Sequence, residues 1–181
     1  ETKQVCENLL TDSNKNNISL RYFNPIGCHP SGLIGDCSKD KPANLIPIIA
    51  EVAIGKRTHL TVNGTDYNTP DGTCIRDYIH VIDLAVSHVK ALEFLLKNKG
   101  KHKFNIGTGK GFSILNAIKT FEKASGVKIN YKLGNRRSGD VEKIFADNSK
   151  AEKYLEWTAN ISFEDAMRDA WNWEVSKKKN P

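Results

Sequence analysis

The 181-residue sequence has few cysteines and lacks any apolar run close to the ~20 residues that a membrane helix needs. Cys6, Cys28, Cys37 and Cys74 lie far apart without Cys-x-x-Cys spacing, which argues against a zinc site and against a disulfide scaffold. The five histidines also lack metal-ligand spacing, so the sequence predicts no metal site. Reduced thiols and the absence of a membrane helix favour a cytoplasmic location.

Methionine is almost absent as well. The chain begins at Glu1, and Met167 is its only methionine. The first segment already has the periodicity of a helix, with Val5, Cys6 and Leu9 on one face. We therefore expect the 181 residues to be part of a longer protein.

The distribution of basic residues does not favour a nucleic-acid partner. The formal net charge is +6, but much of the excess lies in Lys177–Lys179 and in the lysines around Gly100, which we interpret as solvated faces. No basic motif is interleaved with aromatic residues, so nucleic-acid binding is not predicted. A basic balance is compatible with an anionic small-molecule ligand.

Helical and strand patterns alternate along the chain, which is typical of an α/β fold. Helices are predicted at 2–10, 45–54, 83–97, 113–126, 147–154 and from 162 onward; strands are predicted at 18–23, 59–62, 104–106 and 129–133. Residues 24–27 read as strand breakers, and Asp83 is the predicted N-cap of the third helix.

Two arginine-containing segments carry the chemical signal. Arg76 stands at the entrance to an apolar strand-like stretch, and residues 136–140 (RRSGD) follow a predicted strand. A guanidinium group donates several hydrogen bonds and keeps its charge, so two such groups from separate segments can grip a diphosphate. Residues 107–111 (GTGKG) miss the spacing of phosphate-binding loops and are interpreted as a tight strand-to-helix turn.

Several motifs together resemble the UDP-glucose 4-epimerase family of extended short-chain dehydrogenases. They occur in order at 21–27 (RYFNPIG), 29–32 (HPSG), 34–35 (IG), 44–45 (NL), 71–73 (DGT), 76–81 (RDYIHV), 105–109 (NIGTG), 136–137 (RR) and 139–140 (GD). The resemblance implies that residues 1–181 are the C-terminal part of a Rossmann-type NAD-binding fold, interleaved with a smaller mixed α/β substrate-binding domain. The N-terminal dinucleotide-binding half, with its glycine fingerprint, is absent from the sequence.

The resemblance also implies an activity. It is the NAD-dependent interconversion of UDP-glucose and UDP-galactose in galactose metabolism, with NAD as cofactor and a homodimer as the complete protein. Lys3 corresponds to the lysine of the family's Tyr-x-x-x-Lys motif, a catalytic residue that also binds the cofactor, and its tyrosine would precede Glu1. The chain alone is therefore expected to be an inactive fragment.

A set of substrate residues follows from the same resemblance. Tyr22 is expected to face both the cofactor and the substrate, and Asn63 stands where relatives carry an aromatic residue able to stack on uracil. The UDP-sugar is expected to contact Tyr22, Phe23, Asn24, Asn44, Leu45, Thr61, Val62, Asn63, Arg76, Arg137, Ser138, Gly139 and Asp140.

Two alternatives stay open from the sequence. Another nucleotide-sugar 4-epimerase or dehydratase of the same superfamily would show the same motifs. A non-catalytic sugar-nucleotide-binding module could have kept the fold and lost the chemistry.

Overall fold

A computed structural model of the chain describes residues 2–37 and 42–179. Within these ranges helices and strands alternate, as the sequence predicts. The helices are α1 (Thr2–Asp12), α2 (Leu45–Ala53), α3 (Val81–Lys97), α4 (Ile114–Ser125), α5 (Ser149–Leu155) and α6 (Phe163–Lys179). The strands are β1 (Asn17–Tyr22), β2 (Asn24–Ile26), β3 (Leu60–Asn63), β4 (Ile75–Arg76), β5 (Tyr78–His80), β6 (Lys101–Ile106), β7 (Phe112–Ser113), β8 (Tyr131–Gly134) and β9 (Lys143–Ile144).

One core forms around the parallel pair of β1 and β6. The pair runs in register from Asn17 opposite Lys101 to Tyr22 opposite Ile106. Helices α3 and α5 contact these strands and bury Phe104 and Ile106. Parallel strands need such helical cover because their unpaired faces are apolar.

A second core lies between α2, α4 and α6. Ile49, Phe121 and Met167 are fully buried where these helices meet. The predicted apolar stripe on the last helix is confirmed as part of this core, with Trp171 packed at its edge. The parallel pair of β3 and β8 adds Val62 to the same core.

Short strands connect the two cores. Strand β2 pairs in parallel with β5, and β4 pairs with β7 on one side and with β9 on the other. Because β4 and β5 are separated only by Asp77, Arg76 sits at the point where the two cores meet.

Two local predictions are wrong. Residues 24–26 form a strand instead of a break, because the side-chain amide and the N–H of Asn24 both donate to the Asp77 carbonyl, at 2.9 and 3.1 Å. The third helix is capped by His80 and not by Asp83, since the His80 Nδ1 accepts the Ile82 N–H at 3.0 Å. Asp83 is buried and accepts the N–H groups of Asn160 and Ile161.

Two helix starts are confirmed. The Ser113 hydroxyl accepts the Asn116 N–H at 3.1 Å, and α4 ends at Gly126 with a φ of 71°. The Ser162 hydroxyl accepts the Asp165 N–H at 3.0 Å at the start of α6. Over the described ranges, every helix is too short or too polar to span a bilayer.

Candidate functional site

A cavity of about 590 Å³ brings together residues from distant parts of the chain. Its walls come from the start of β2, the N-terminal end of α2, strand β3, the β4–β5 junction and the loop after β8. Eight of the predicted substrate residues line it: Asn24, Asn44, Leu45, Thr61, Asn63, Arg76, Arg137 and Asp140.

Arg76 is held rigidly in the cavity wall. Its side chain is 16% exposed, and its Nη1 donates to the carbonyl oxygens of Val141 at 2.6 Å and Ile75 at 2.9 Å. Its Nη2 lies 3.4 Å from the Asp140 carboxylate. A guanidinium group fixed in this way meets an anion with little further loss of side-chain freedom.

Arg137 and Asp140 reach the same cavity from one turn. The Asp140 N–H donates to the Arg137 carbonyl at 3.2 Å, and Gly139 adopts a φ of 82°, a left-handed conformation that favours glycine. Arg137 is exposed, whereas Asp140 is half-buried beside Arg76. The turn therefore presents one exposed arginine and one carboxylate to the cavity.

Asp77 supports this wall from behind. It is fully buried, and its carboxylate accepts the hydroxyl of Thr108 at 2.7 Å and the N–H groups of Thr108, Gly109 and Ala146 at 3.0–3.1 Å. A Cβ on Gly107 would lie 2.5 Å from its Oδ2. The GTG segment is thus a turn that solvates a buried carboxylate, in agreement with the prediction of a structural turn.

The N-terminal end of α2 forms the opposite wall. Asn44 occupies the N-cap position, yet its side chain makes no capping hydrogen bond. A helix N-terminus carries partial positive charge and free N–H groups, which favours an anionic ligand nearby. The Asn44 amide is therefore available to a ligand in the cavity.

Several predicted residues lie outside the cavity lining. Lys3 is exposed on α1, and Tyr22 is 50% exposed at the end of β1, with its ring centroid 6.5 Å from that of His88. Val62 points into the second core. Phe23, Ser138 and Gly139 flank lining residues in the chain. The roles assigned to these six residues stay predictions.

Among the lining residues that were not predicted, four have ionisable side chains: Arg57, His59, Cys74 and Tyr78. Glu51 holds the Arg57 guanidinium at 2.9 Å. Burial raises the pKa values of the Cys74 thiol and of the Tyr78 phenol, so both groups are protonated at neutral pH. Arg57, a basic residue two positions after the helix-stopping Gly55, could have been predicted from the sequence. Cys74, a lone cysteine, gives no such signal.

A larger cavity of about 980 Å³ lies next to the first and is lined by Cys28, Trp173 and Glu174 among others. Its charges compensate one another, because Glu174 pairs with Lys56 at 3.0 Å and with Lys177 at 2.6 Å. Burial raises the pKa of the Cys28 thiol to about 11, which makes it a poor nucleophile. The smaller cavity, with three arginines converging on it, is the better anion site.

The fold and the arginine-lined cavity define an α/β protein with a candidate anion site, and comparison with known proteins identifies its family. Residues 4–170 match the family model described as GDP-mannose 4,6 dehydratase. The chain belongs to that family.

Within the family, the similar curated proteins are UDP-glucose 4-epimerases. The chain is 49% identical to the enzyme of Haemophilus influenzae, over 99% of this chain and 54% of the relative. It is 47% identical to the enzyme of Bacillus subtilis, over 96% of this chain and 52% of the relative. The chain thus spans about half the length of these curated relatives.

Solved structures give the same result. The UDP-glucose 4-epimerase of Stenotrophomonas maltophila, with bound NAD and formylated UDP-arabinopyranose, matches with a TM-score of 0.92 and 41% identity, over 99% of this chain and 54% of that one. The enzyme of Bifidobacterium longum, in complex with NAD+ and UDP, matches with a TM-score of 0.90 and 43% identity, over 99% and 53% of the two chains. The predicted resemblance and the Rossmann-type α/β fold are confirmed.

Proposed function

We propose that this chain supplies the UDP-sugar site of an NAD-dependent UDP-glucose 4-epimerase acting in galactose metabolism. The observation that carries the proposal is the convergence of Arg76 and Arg137, 61 positions apart in the sequence, on one cavity that also contains Asp140. Two guanidinium groups match the two charged phosphates of UDP. Asp140 can accept a hydroxyl of the ribose, and Asn24 and Asn44 can bond the sugar.

The chain's residues also fit an NAD cofactor. Tyr22 is exposed at the carboxyl end of β1, which pairs in parallel with β6, and ligands of open α/β sheets bind at such ends. NAD, when bound, supplies the hydride acceptor. Lys3 is exposed on α1 and, under this proposal, would hold the cofactor ribose and stabilise a neighbouring tyrosinate as a cation.

A binding and a turnover measurement test this proposal separately. We expect the protein to bind UDP in titration calorimetry, and we expect the 181 residues alone to show no conversion of UDP-galactose in the presence of NAD+. Absence of UDP binding would refute the UDP-sugar site. Turnover by the 181 residues alone would refute only their expected inactivity and would leave the UDP-sugar site standing.

A second nucleotide-sugar activity is supported by the family model, whose description names a dehydratase. Both reactions begin with the same anchoring of a sugar nucleotide. Product analysis with a panel of UDP- and GDP-sugars distinguishes them, because an epimerase yields a stereoisomer and a dehydratase releases water.

We make two further proposals, on the cellular location and on the oligomeric state of the complete protein. We propose a cytoplasmic protein, supported by four unpaired cysteines, two of which are exposed. We also propose a homodimer for the complete protein, supported by exposed Val5 and Leu9 on α1. Cell fractionation and analytical ultracentrifugation test these statements, and a monomer at micromolar concentration would refute the second.

A further inference from the structure

Arg136 precedes Arg137 in the chain but does not line the cavity. Its guanidinium Nε lies 2.7 Å from the Asp66 Oδ1, and its Nη2 donates to the Asp66 carbonyl at 2.6 Å. Its Cζ lies 4.2 Å from the ring centroid of Tyr67. The half-exposed Arg136 side chain is therefore held by three contacts.

Tyr67 forms the base of this arrangement. Its side chain is buried, with 6% exposure, and its N–H donates to the Gly72 carbonyl at 2.9 Å. The backbone passes close above the ring at Gly64, where a Cβ would lie 2.4 Å from it and the φ of +77° favours glycine. The Tyr67 hydroxyl has no hydrogen-bond partner among the described residues. The ring face, and not the hydroxyl, is what Tyr67 offers to Arg136.

The pair of Asp66 and Arg136 is charged at neutral pH. The hydrogen bond from Arg136 lowers the pKa of Asp66, and the bond to Asp66 raises the pKa of Arg136. An ion pair to the Asp66 carboxylate, combined with a bond to the Asp66 backbone carbonyl and stacking on an aromatic ring, orients the guanidinium group more strictly than a simple surface pair does.

We propose that Asp66, Tyr67 and Arg136 form a clamp that positions Arg137 for the diphosphate. The inference rests on the proposed function. The clamp joins the 64–72 loop to the loop that follows β8 at Gly134. Because Arg136 is held away from the cavity, the next side chain, Arg137, is presented to it. All three members are positioning residues, since they act through Arg137 and do not touch the ligand.

An electrostatic role and a positioning role of Asp66 predict opposite effects of the Asp66→Asn substitution on UDP binding. If Arg136 and Asp66 acted only through the electrostatic field, Asp66→Asn would remove a negative charge near an anion site and tighten UDP binding. If they act by positioning, the same change weakens UDP binding, because the charge-assisted bond from the Arg136 Nε to Oδ1 becomes a neutral one and holds Arg136 less firmly. Asp66→Asn therefore separates the two explanations.

The experiment measures the UDP dissociation constant by titration calorimetry for the purified protein and its variants. We expect about threefold to tenfold weaker binding for Arg136→Ala and about twofold to fivefold weaker binding for Asp66→Asn, since exposed ion-pair and cation–π contacts are modest. Lys132→Ala is the matched control, because exposed Lys132 lies four positions earlier on β8 and carries the same charge. Tighter binding by Asp66→Asn would overturn the clamp.

A double-mutant cycle tests action through Arg137. Once Arg137 is removed, Arg136→Ala should have no further effect, so the double variant should bind UDP as Arg137→Ala does. Fully additive losses would overturn the inference. Urea unfolding of each variant identifies any loss of binding that is due to misfolding. If the unchanged protein fails to bind UDP, the proposed function fails instead.

Discussion

Asp77 accepts both the backbone N–H and the hydroxyl of Thr108, at 3.0 and 2.7 Å. Together with the N–H groups of Gly109 and Ala146, these bonds give a fully buried carboxylate four donors. The arrangement lies directly behind Arg76, and it ties the β4–β5 junction to the turn after β6. The two neighbouring residues therefore have different roles. Arg76 lines the cavity, and Asp77 holds the buried turn behind it together.

Asp77→Ala should destabilise the protein by about 3–5 kcal/mol, because it leaves three buried N–H groups without an acceptor. Urea unfolding followed by circular dichroism measures the loss. Asp147→Ala is the control, since the carboxylate of exposed Asp147 bonds Ser149 at the start of α5 and its removal should cost about 1 kcal/mol or less. Equal losses in the two variants would contradict the interpretation of Asp77 as a buried anchor.

Arg76→Ala should weaken UDP binding by about 2–3 kcal/mol, which is roughly 30- to 150-fold, as loss of a desolvated charged contact typically does. Titration calorimetry measures the change. Arg76→Lys keeps the charge but loses the fork that bonds Val141 and Asp140, so it should recover only part of the affinity. An unchanged affinity for Arg76→Ala would remove this residue from the site.

Asn63→Phe should tighten UDP binding about twofold to tenfold, because an aromatic ring at this end of β3 can stack on the base. Inorganic pyrophosphate is the control ligand, since it presents the two phosphates without a base. A gain seen equally with pyrophosphate would show that Asn63 does not meet the base.

Stability should fall below neutral pH because of His80. Its Nδ1 must be unprotonated to accept the Ile82 N–H, and burial lowers its pKa despite attraction from Asp169, Asp83 and Asp165. Unfolded histidine takes up its proton near a pKa of about 6.5, so the contribution is complete above that pH and is lost as the pH falls from there through the lower pKa of folded His80.

The measurement is the free energy of unfolding at pH 7.5, 6.5 and 5.5, chosen to span that range at about one-unit steps. His80→Asn keeps a side-chain acceptor at the N-cap without the titration, and should show a shallower slope in this range. Equal slopes for the two proteins would exclude His80 as the group responsible.

Local signals in the sequence predict local structure well in this chain. Helices α4 and α6 begin at the predicted serines, because a hydroxyl acceptor at the N-cap acts within three residues. The start of α3 was missed because tertiary contacts decide it: Asp83, a good N-cap by type, is recruited by Asn160 and Ile161, 77 and 78 positions away.

At the candidate site, too, local sequence signals could be predicted and tertiary contacts could not. Arg76, Arg137 and Asp140 could be predicted, since charged motifs at strand ends carry their own chemical signal. Cys74 and Tyr78 could not, because residues of these types usually serve the core, and only the folded arrangement of the cavity walls brings them into its lining. The clamp on Arg136 was also beyond sequence reasoning, since Asp66 and Arg136 are 70 positions apart.

The cavity wall draws on segments from Asn24 to Asp140, so no part of it survives in the unfolded chain. A ligand that binds there is linked to the folding equilibrium by mass action. Saturation at 100 times the dissociation constant raises the free energy of unfolding by about 2.7 kcal/mol. The melting temperature of the protein therefore rises when a ligand binds in the cavity. Thermal unfolding in the presence of different nucleotides would rank their affinities without a catalytic assay.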